Sequence, residues 1–360
     1  MKKFALSSAL ACATAMLAAS ATAQVVTPGL SFNADGSVEV PAFNLPPSAF
    51  LSPEALAAQQ ARARHNFNVP ATMVDIQTSR ARLEVALAPQ VARMREVYPV
   101  DVADATMGGV PVRIVTPKGK PVDRKRVLIN LHGGAFSVCA GVCALLESVP
   151  VAALGGFKVV TVNYRMAPEH RHPAGAEDVE AVYRELLKTH KARSIGLYGC
   201  SAGGALTAHA AARMPARSLP QFGAIGIFGA GAVRFGAGDS SWIAAYIDGS
   251  FPAPARPGQP PMDMTRGYFD GTDMADASVS PALHPDVIAK FPPTLLITGT
   301  RAMDMSPAIV TNSALLKAGV KSTLIVGEGM GHCYIYQPDL PESRDAHREI
   351  VDFFRDNLRG

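Results

Sequence analysis

Leu197-Tyr198-Gly199-Cys200-Ser201-Ala202-Gly203-Gly204 lies between an apolar, strand-like run and an alanine-rich, helix-like one. A strand, a sharp turn carrying the serine of G-x-S-x-G, and a helix are the setting in which a nucleophile elbow works. Glycines on both sides let the backbone turn without a Cβ clash, which pushes the Ser201 Oγ out of the sheet. Alone the pattern is weak, because the chain has 31 glycines in 360 residues. Upstream, Leu131-His132-Gly133-Gly134-Ala135-Phe136 supplies its partner, a glycine-rich strand exit able to aim backbone N–H groups at a developing oxyanion.

Working outward, strand-like and helix-like segments alternate. Strands are expected at 110–116, 126–131, 158–162, 194–198, 224–228, 294–298 and 321–326. From Ala176, the residues Val179, Val182, Tyr183, Leu186 and Leu187 form one helical face, with Glu180, Arg184, Glu185 and Lys188 outward. A final helix from about Ser343 buries Ala346, Ile350, Phe353 or Phe354, and Leu358. This alternation argues for a mostly parallel sheet covered on both faces. Towards the N-terminus, Ser52-Pro53-Glu54 reads as a helix start, and a second helix is expected over 80–97. Residues 229–275, rich in Gly, Ala and Pro and holding the single tryptophan Trp242, interrupt the pattern. Long excursions of this kind are more often functional lids than filler, so a cap over the sheet edge is expected.

Met1-Lys2-Lys3, an apolar run to about Ala19 and Ala21-Thr22-Ala23 have the form of a secretory signal cleaved after Ala23. Export to a periplasm or the medium follows, with no stable membrane anchor. Cleavage removes Lys2 and Lys3 and takes the formal charge from +4 to +2. A near-balanced chain without basic blocks interleaved with aromatics gives nucleic-acid binding no support. Cys139, Cys143, Cys200 and Cys333 remain. They lack paired C-x-x-C spacing, so no zinc site is expected, while Cys139 and Cys143 are close enough to pair in an oxidising compartment. Cys200 and Cys333 read as two small buried residues, with a bridge across the site as the sharper alternative.

Ser201 needs a base in hydrogen-bond reach and an acid to hold that base in one tautomer. His332, in Gly329-Met330-Gly331-His332-Cys333-Tyr334, is the best of nine histidines because it follows the final strand on a glycine-rich loop. His209 reads as structural, and His170 and His172 as part of a turn set by Pro168 and Pro173 rather than metal ligands. Gly133, Gly134 and the Ala202 N–H are the expected oxyanion donors. Phe136 and Trp242 are the expected substrate-binding residues.

From Val110 to the C-terminus the chain resembles the hormone-sensitive-lipase-like family of α/β-hydrolase esterases. The resemblance rests on His132-Gly133-Gly134-Ala135, on Gly199-Cys200-Ser201-Ala202-Gly203-Gly204, and on Tyr164-Arg165-Met166-Ala167-Pro168-Glu169-His170 followed by Pro173, Ala174 and Asp178. It implies an α/β-hydrolase fold with an eight-stranded sheet and a helical cap, no cofactor or metal, and hydrolysis of a small-molecule carboxylic ester through an acyl-serine. The expected division is 1–23 leader, 24–105 lead-in and cap helices, and 106–360 catalytic domain with its insertion at 229–275. Three departures stand out. Ala135 replaces the third glycine of H-G-G-G, Cys200 replaces the acid before the serine, and Ala302 stands where the family carries its triad aspartate. Asp304, two residues on, is the candidate acid. Asp239, or no acid with His332 held by a carbonyl or water, are its rivals. Lactone or amide hydrolysis, and a binding protein on a degraded hydrolase scaffold, are the alternative functions.

Overall fold

A computed structural model describes residues 29–64, 74–248 and 262–360. The expected leader lies outside them. The chain divides into two compact units at Pro46/Pro47. In the first, β1 (Ser31–Phe32) and β2 (Val38–Glu39) form a small antiparallel hairpin whose turn is fixed by the Asp35 carboxylate accepting from Ser37 N at 2.9 Å.

The second unit begins with α1 (Pro53–Arg64) and α2 (Ile76–Val97), the latter capped by Asp75, whose side chain accepts from Thr78 N. There follow β3 (Val100–Met107), β4 (Val110–Pro117), β5 (Asp123–Leu131), α3 (Val142–Gly155), β6 (Phe157–Val162), α4 (Ala174–Leu186), β7 (Ile195–Cys200), α5 (Ala202–Ala216) and β8 (Ala224–Phe228). The chain ends with α6 (Ser240–Asp248), the single turn α7 (Pro285–Ile288), β9 (Thr294–Gly299), α8 (Met305–Lys317), β10 (Ser322–Gly327) and α9 (Pro341–Asn357). Eight strands make one sheet in the order β10-β9-β8-β7-β5-β6-β4-β3, with β4 antiparallel to both β3 and β6 and the other pairs parallel.

The β-branched and leucine runs in the centre of the sheet produce this layering. Val127, Leu128, Ile129 and Leu131 are each 0% exposed, as expected for a parallel strand with helices on both faces. Alternate side chains serve opposite layers: Ile129 and Leu197 join the core beneath α4 and α5, while Leu128 and Tyr198 join the core beneath α3 and α9. Burying each such side chain contributes about 1.5–3 kcal/mol. Glu180, expected to face outward, is buried instead, held by Arg184 at 2.8 Å and Arg213 at 2.7 Å.

The expected boundary between residues 105 and 106 falls inside β3, which pairs with β4 along its whole length. The sheet therefore starts at Val100. Strand order then fixes the site. Leu131 at the end of β5 is in register with Gly199 of β7, so the loop after β5 lies beside the elbow. Gly299 of β9 is likewise in register with Gly327 of β10, which makes the loops carrying Asp304 and His332 neighbours. All four loops leave the carboxyl edge of the sheet, where open α/β sheets place their ligands.

Candidate active site

Ser201 sits between β7 and α5 with φ 60° and ψ −124°, a conformation that L-residues seldom adopt. It persists because its surroundings dictate it: Ser201 N donates to Phe228 O at 2.8 Å, and a Cβ on Gly203 would collide with Leu131 O. Ser201 is half-buried, and Ala202 opens α5 with its N–H among the first-turn donors that have no partner inside the helix.

The loop after β5 is pinned peptide by peptide. Tyr164 OH donates to His132 O at 2.7 Å, and Gly133 N donates to the Glu147 carboxylate at 2.9 Å, so the peptide between His132 and Gly133 is held from both sides. His132 Nδ1 lies 2.7 Å from Gly133 O and donates to it; burial lowers this ring's pKa to about 4, which keeps it neutral. Gly134 O accepts from Ser137 N and Val138 N, both at 3.0 Å. In a trans peptide the N–H points away from its carbonyl, so the Gly134 and Ala135 N–H groups face away from these anchors. Gly134 has φ +112° and a Cβ there would fall on Val138 O, which is why this position is glycine. Of the expected donors, Gly133 is corrected by this geometry: its N–H is already engaged by Glu147. Gly134 and Ala202 remain as candidates, and the Ala135 N–H becomes a further one.

The Tyr164–Asp178 block is the scaffold of this loop. Besides its hydroxyl contact, the Tyr164 ring stacks on His132 at 4.3 Å, and Ala167 N donates to Phe136 O at 2.8 Å. Arg165 is locked to Asp178 at 2.9 Å, and Glu169 pairs with Arg80 of α2 at 2.7 Å.

His332 Nδ1 lies 2.6 Å from Asp304 Oδ1, and Thr298 Oγ1 donates to Asp304 Oδ2 at 2.6 Å. Because a carboxylate only accepts, Nδ1 carries the proton and Nε2 is left as the acceptor. Asp304 is 1% exposed. Asp239, its rival, is exposed and precedes α6. Cys200 and Cys333 form a disulfide, with Cα atoms 6.3 Å apart, and Cys139 and Cys143 form another at 5.3 Å. The reading of Cys200 and Cys333 as two separate buried thiols is therefore overturned. The bridge ties the residue before Ser201 to the residue after His332. A Cβ placed on Gly229 would stand 3.0 Å from Cys200 Sγ and 3.1 Å from His332 Cε1, so the imidazole edge and the elbow share one small space.

A cavity of about 390 Å³ opens on Ser201, lined by Phe136, Phe235, Met264, Phe269 and Met303 among others. Phe136 is 5% exposed and stacks on Tyr268 at 4.6 Å; Phe235 meets the His332 ring edge-on at 5.8 Å. His209 also lines the cavity, its Nε2 donating to Val279 O at 3.1 Å and its pKa pushed down by burial to about 3. Trp242 is corrected: it is 63% exposed and does not line this cavity. Among the described side chains of α6 the buried ones are small, Ser240, Ser241 and Ala244, and Ser240 Oγ donates to Met303 O at 2.7 Å, while Trp242 points outward. Glu147, Thr298, Tyr336, Phe235 and Phe269 were not singled out from the sequence. Only Glu147 carried a local signal, as the lone charge in the apolar run of α3.

The sequence profile described as alpha/beta hydrolase fold matches residues 128–336. The acetyl-hydrolase of Streptomyces hygroscopicus is 30% identical over 240 residues, covering 64% of this chain and 75% of that protein. The arylacetamide deacetylase of Oryctolagus cuniculus is 35% identical over 126 residues, which is 32% of this chain and 31% of that one. Among solved structures, an esterase superposes with a TM-score of 0.76 at 28% identity, covering 90% of this chain and 99% of that one. An esterase of the bacterial hormone-sensitive lipase family shares the fold, with a TM-score of 0.73 at 24% identity and 86% of this chain covered against 99% of its own. With the elbow, the oxyanion loop and these relatives in agreement, the chain belongs to the hormone-sensitive-lipase-like esterases of the α/β-hydrolase fold.

Proposed function

We propose that the protein is an exported serine carboxylesterase acting on small to medium uncharged esters. The observation that carries the assignment is the 2.6 Å contact of Asp304 with His332 on a loop bridged to the Ser201 elbow. Ser201 Oγ attacks the ester carbonyl while His332 Nε2 takes its proton. The Asp304 carboxylate holds the imidazole and compensates the imidazolium. The N–H groups of Gly134, Ala135 and Ala202 receive the oxyanion, each donor worth about 3 kcal/mol of transition-state stabilisation. Collapse releases the alcohol, protonated by His332. Water then attacks the acyl-serine by the same route and frees the acid.

The cavity is near the lower end of small-molecule sites, roughly 300–1,000 Å³, and its walls are mainly apolar, with Phe136, Phe235, Phe269, Met264, Met274 and Met303 among small aliphatic residues and the carboxylates Asp263 and Asp270 also lining it. Both features favour short or medium apolar acyl or alcohol groups over triglycerides. The segment from Asp263 to Met274 contributes several of these walls, which supports reading 229–275 as a cap. Export is supported by the N-terminal leader pattern, and two disulfides suit an oxidising compartment.

Hydrolysis of p-nitrophenyl acetate and butyrate by the full-length chain, with and without an organophosphate, tests the assignment. Turnover lost together with formation of an adduct on Ser201 is the expected result; no turnover and no adduct overturns it. The alternative of a binding protein on a degraded hydrolase scaffold is suggested by Ala302 and Cys200; the Asp304–His332 contact speaks against it at the first of these.

A further inference from the structure

Glu147 is the only charged residue of α3, and it is 2% exposed. Among the described residues no arginine or lysine pairs with its carboxylate. Four donors hold it instead: Gly133 N at 2.9 Å and Tyr336 OH at 2.6 Å on Oε1, Asn130 Nδ2 at 2.9 Å and Cys200 N at 3.0 Å on Oε2. The Asn130 amide is itself oriented, because its Oδ1 accepts from Thr161 Oγ1 and leaves Nδ2 for the carboxylate. The ionised carboxylate, with two lone pairs on each oxygen, matches this set of four donors, whereas the NH2 end of a glutamine would confront two of them with a donor.

Three of the four donors come from different pieces of the reaction machinery, and the fourth, Asn130, from β5 just before the oxyanion loop. Gly133 belongs to the oxyanion loop, Cys200 immediately precedes the nucleophile, and Tyr336 lies four residues beyond the base. A Cβ on Gly133 would stand 2.7 Å from Tyr336 OH and 3.3 Å from Ser201 Cβ, so the tyrosine hydroxyl and the serine both flank the loop at Gly133. A buried carboxylate is an expensive way to fill an apolar helix, and its burial pushes the pKa up to about 7 despite the donors. Packing alone would be served as well by leucine or methionine. What those side chains lack is an acceptor that holds the Gly133 N–H, opposite the Tyr164 hydroxyl on His132 O, and thereby fixes the start of the loop that carries the next two N–H groups.

We propose that Glu147 is a positioning residue for ester hydrolysis: its carboxylate clamps the oxyanion loop, the elbow and the segment after His332 in one arrangement that aims the Gly134 and Ala135 N–H groups. This rests on the esterase reading above. Its signature is a loss in the transition state rather than in substrate binding, since neither Glu147 oxygen faces the cavity.

The test compares wild type with Glu147→Gln and Tyr336→Phe, using p-nitrophenyl butyrate and a trifluoromethyl ketone that forms a hemiketal with the serine. Turnover is expressed per site titrated by organophosphate. Glu147→Gln keeps the volume but gives two donors no acceptor; kcat is expected to fall about a hundredfold, as for loss of an oxyanion donor, with KM nearly unchanged and ketone affinity falling by the same factor. Tyr336→Phe removes one donor, keeps the carboxylate, and is expected to show the same pattern at about a tenth of the size. It carries the test if the glutamine variant does not fold. Undiminished kcat per titrated site, or a loss confined to KM, overturns the positioning role while leaving the esterase reading intact. A wild-type chain without turnover or adduct overturns that reading, and this proposal with it.

Discussion

Asp304 Oδ1 stands 2.6 Å from His332 Nδ1, although Ala302 occupies the position at which the family pattern carries its acid. The two-residue offset closes because the chain after β9 folds back rather than extending. Ala302 N donates to Gly299 O at 3.1 Å and Met305 N to Ala302 O at 3.2 Å, and these turns return Asp304 to Thr298, six residues earlier. Asp304→Asn leaves the shape intact but favours the wrong imidazole tautomer; kcat on p-nitrophenyl butyrate should fall by about 10²–10⁴. Thr298→Val removes a hydrogen bond to a charged group, worth about 1.5–3 kcal/mol, so a loss of about tenfold or more is expected. Near-normal turnover in Asp304→Asn would show that another group orients His332.

Much of this site is written in local patterns and the rest in topology. The elbow, the glycine loop and the Tyr164 block are contiguous, so the sequence exposes them directly. Asp304 depended on how one turn folds, which spacing does not reveal. β3 escaped notice because an edge strand with Asp101 and Asp104 facing solvent lacks a strong apolar run. The Cys200–Cys333 bridge spans 133 residues, and only the shared neighbourhood of Ser201 and His332 hinted at it. Trp242 was misleading because rarity drew attention to it, whereas burial is decided by which helix face packs.

The bridge beside the serine leads to a redox prediction. It closes a loop of 133 residues and covalently fixes the base loop to the elbow. In the chain-entropy description a loop of that size stabilises by about 4–5 kcal/mol. Reduction with a phosphine, or Cys200→Ala with Cys333→Ala, should lower the unfolding midpoint and cut kcat more than KM. Thiol labelling of the denatured, unreduced chain lacking residues 1–23 should find no free cysteine; labelling at both Cys200 and Cys333 would exclude the bridge.

Gly134 and Ala135 should respond in opposite ways. Gly134→Ala places a side chain on Val138 O at φ +112°, so the loop must shift and an oxyanion donor moves with it. A loss in kcat of about 10²–10³ is expected. Ala135 holds φ 51°, a left-handed conformation costing an L-residue about 1–2 kcal/mol. Ala135→Gly relieves that strain but adds about 0.4–1 kcal/mol of unfolded-state entropy, so a small rise in stability with unchanged turnover is expected. Chemical denaturation and steady-state kinetics of both variants decide the matter.

Acid should destabilise the fold through histidines rather than through surface ion pairs. Burial holds His132 at about 4 and His209 and His347 at about 3, against 6.5 when free. Depressed histidines leave the unfolded chain binding more protons, so their contribution is complete above pH 6.5 and is lost as pH falls towards their folded values. Glu147 acts in the opposite sense: raised from 4.5 to about 7, it favours the folded state below pH 4.5 and loses that contribution as pH rises through 7. Near pH 5.5 unfolding should therefore take up three protons at the histidines and release one at Glu147. At about 1.4 kcal/mol per proton and pH unit, the unfolding free energy should rise by roughly 2–3 kcal/mol per unit between pH 5 and 6. Denaturant titrations at half-unit intervals measure that slope, and His347→Gln should remove about a third of what these three rings contribute to it. A flat profile from pH 5 to 6.5 would mean that these rings titrate in the folded protein much as they do when free.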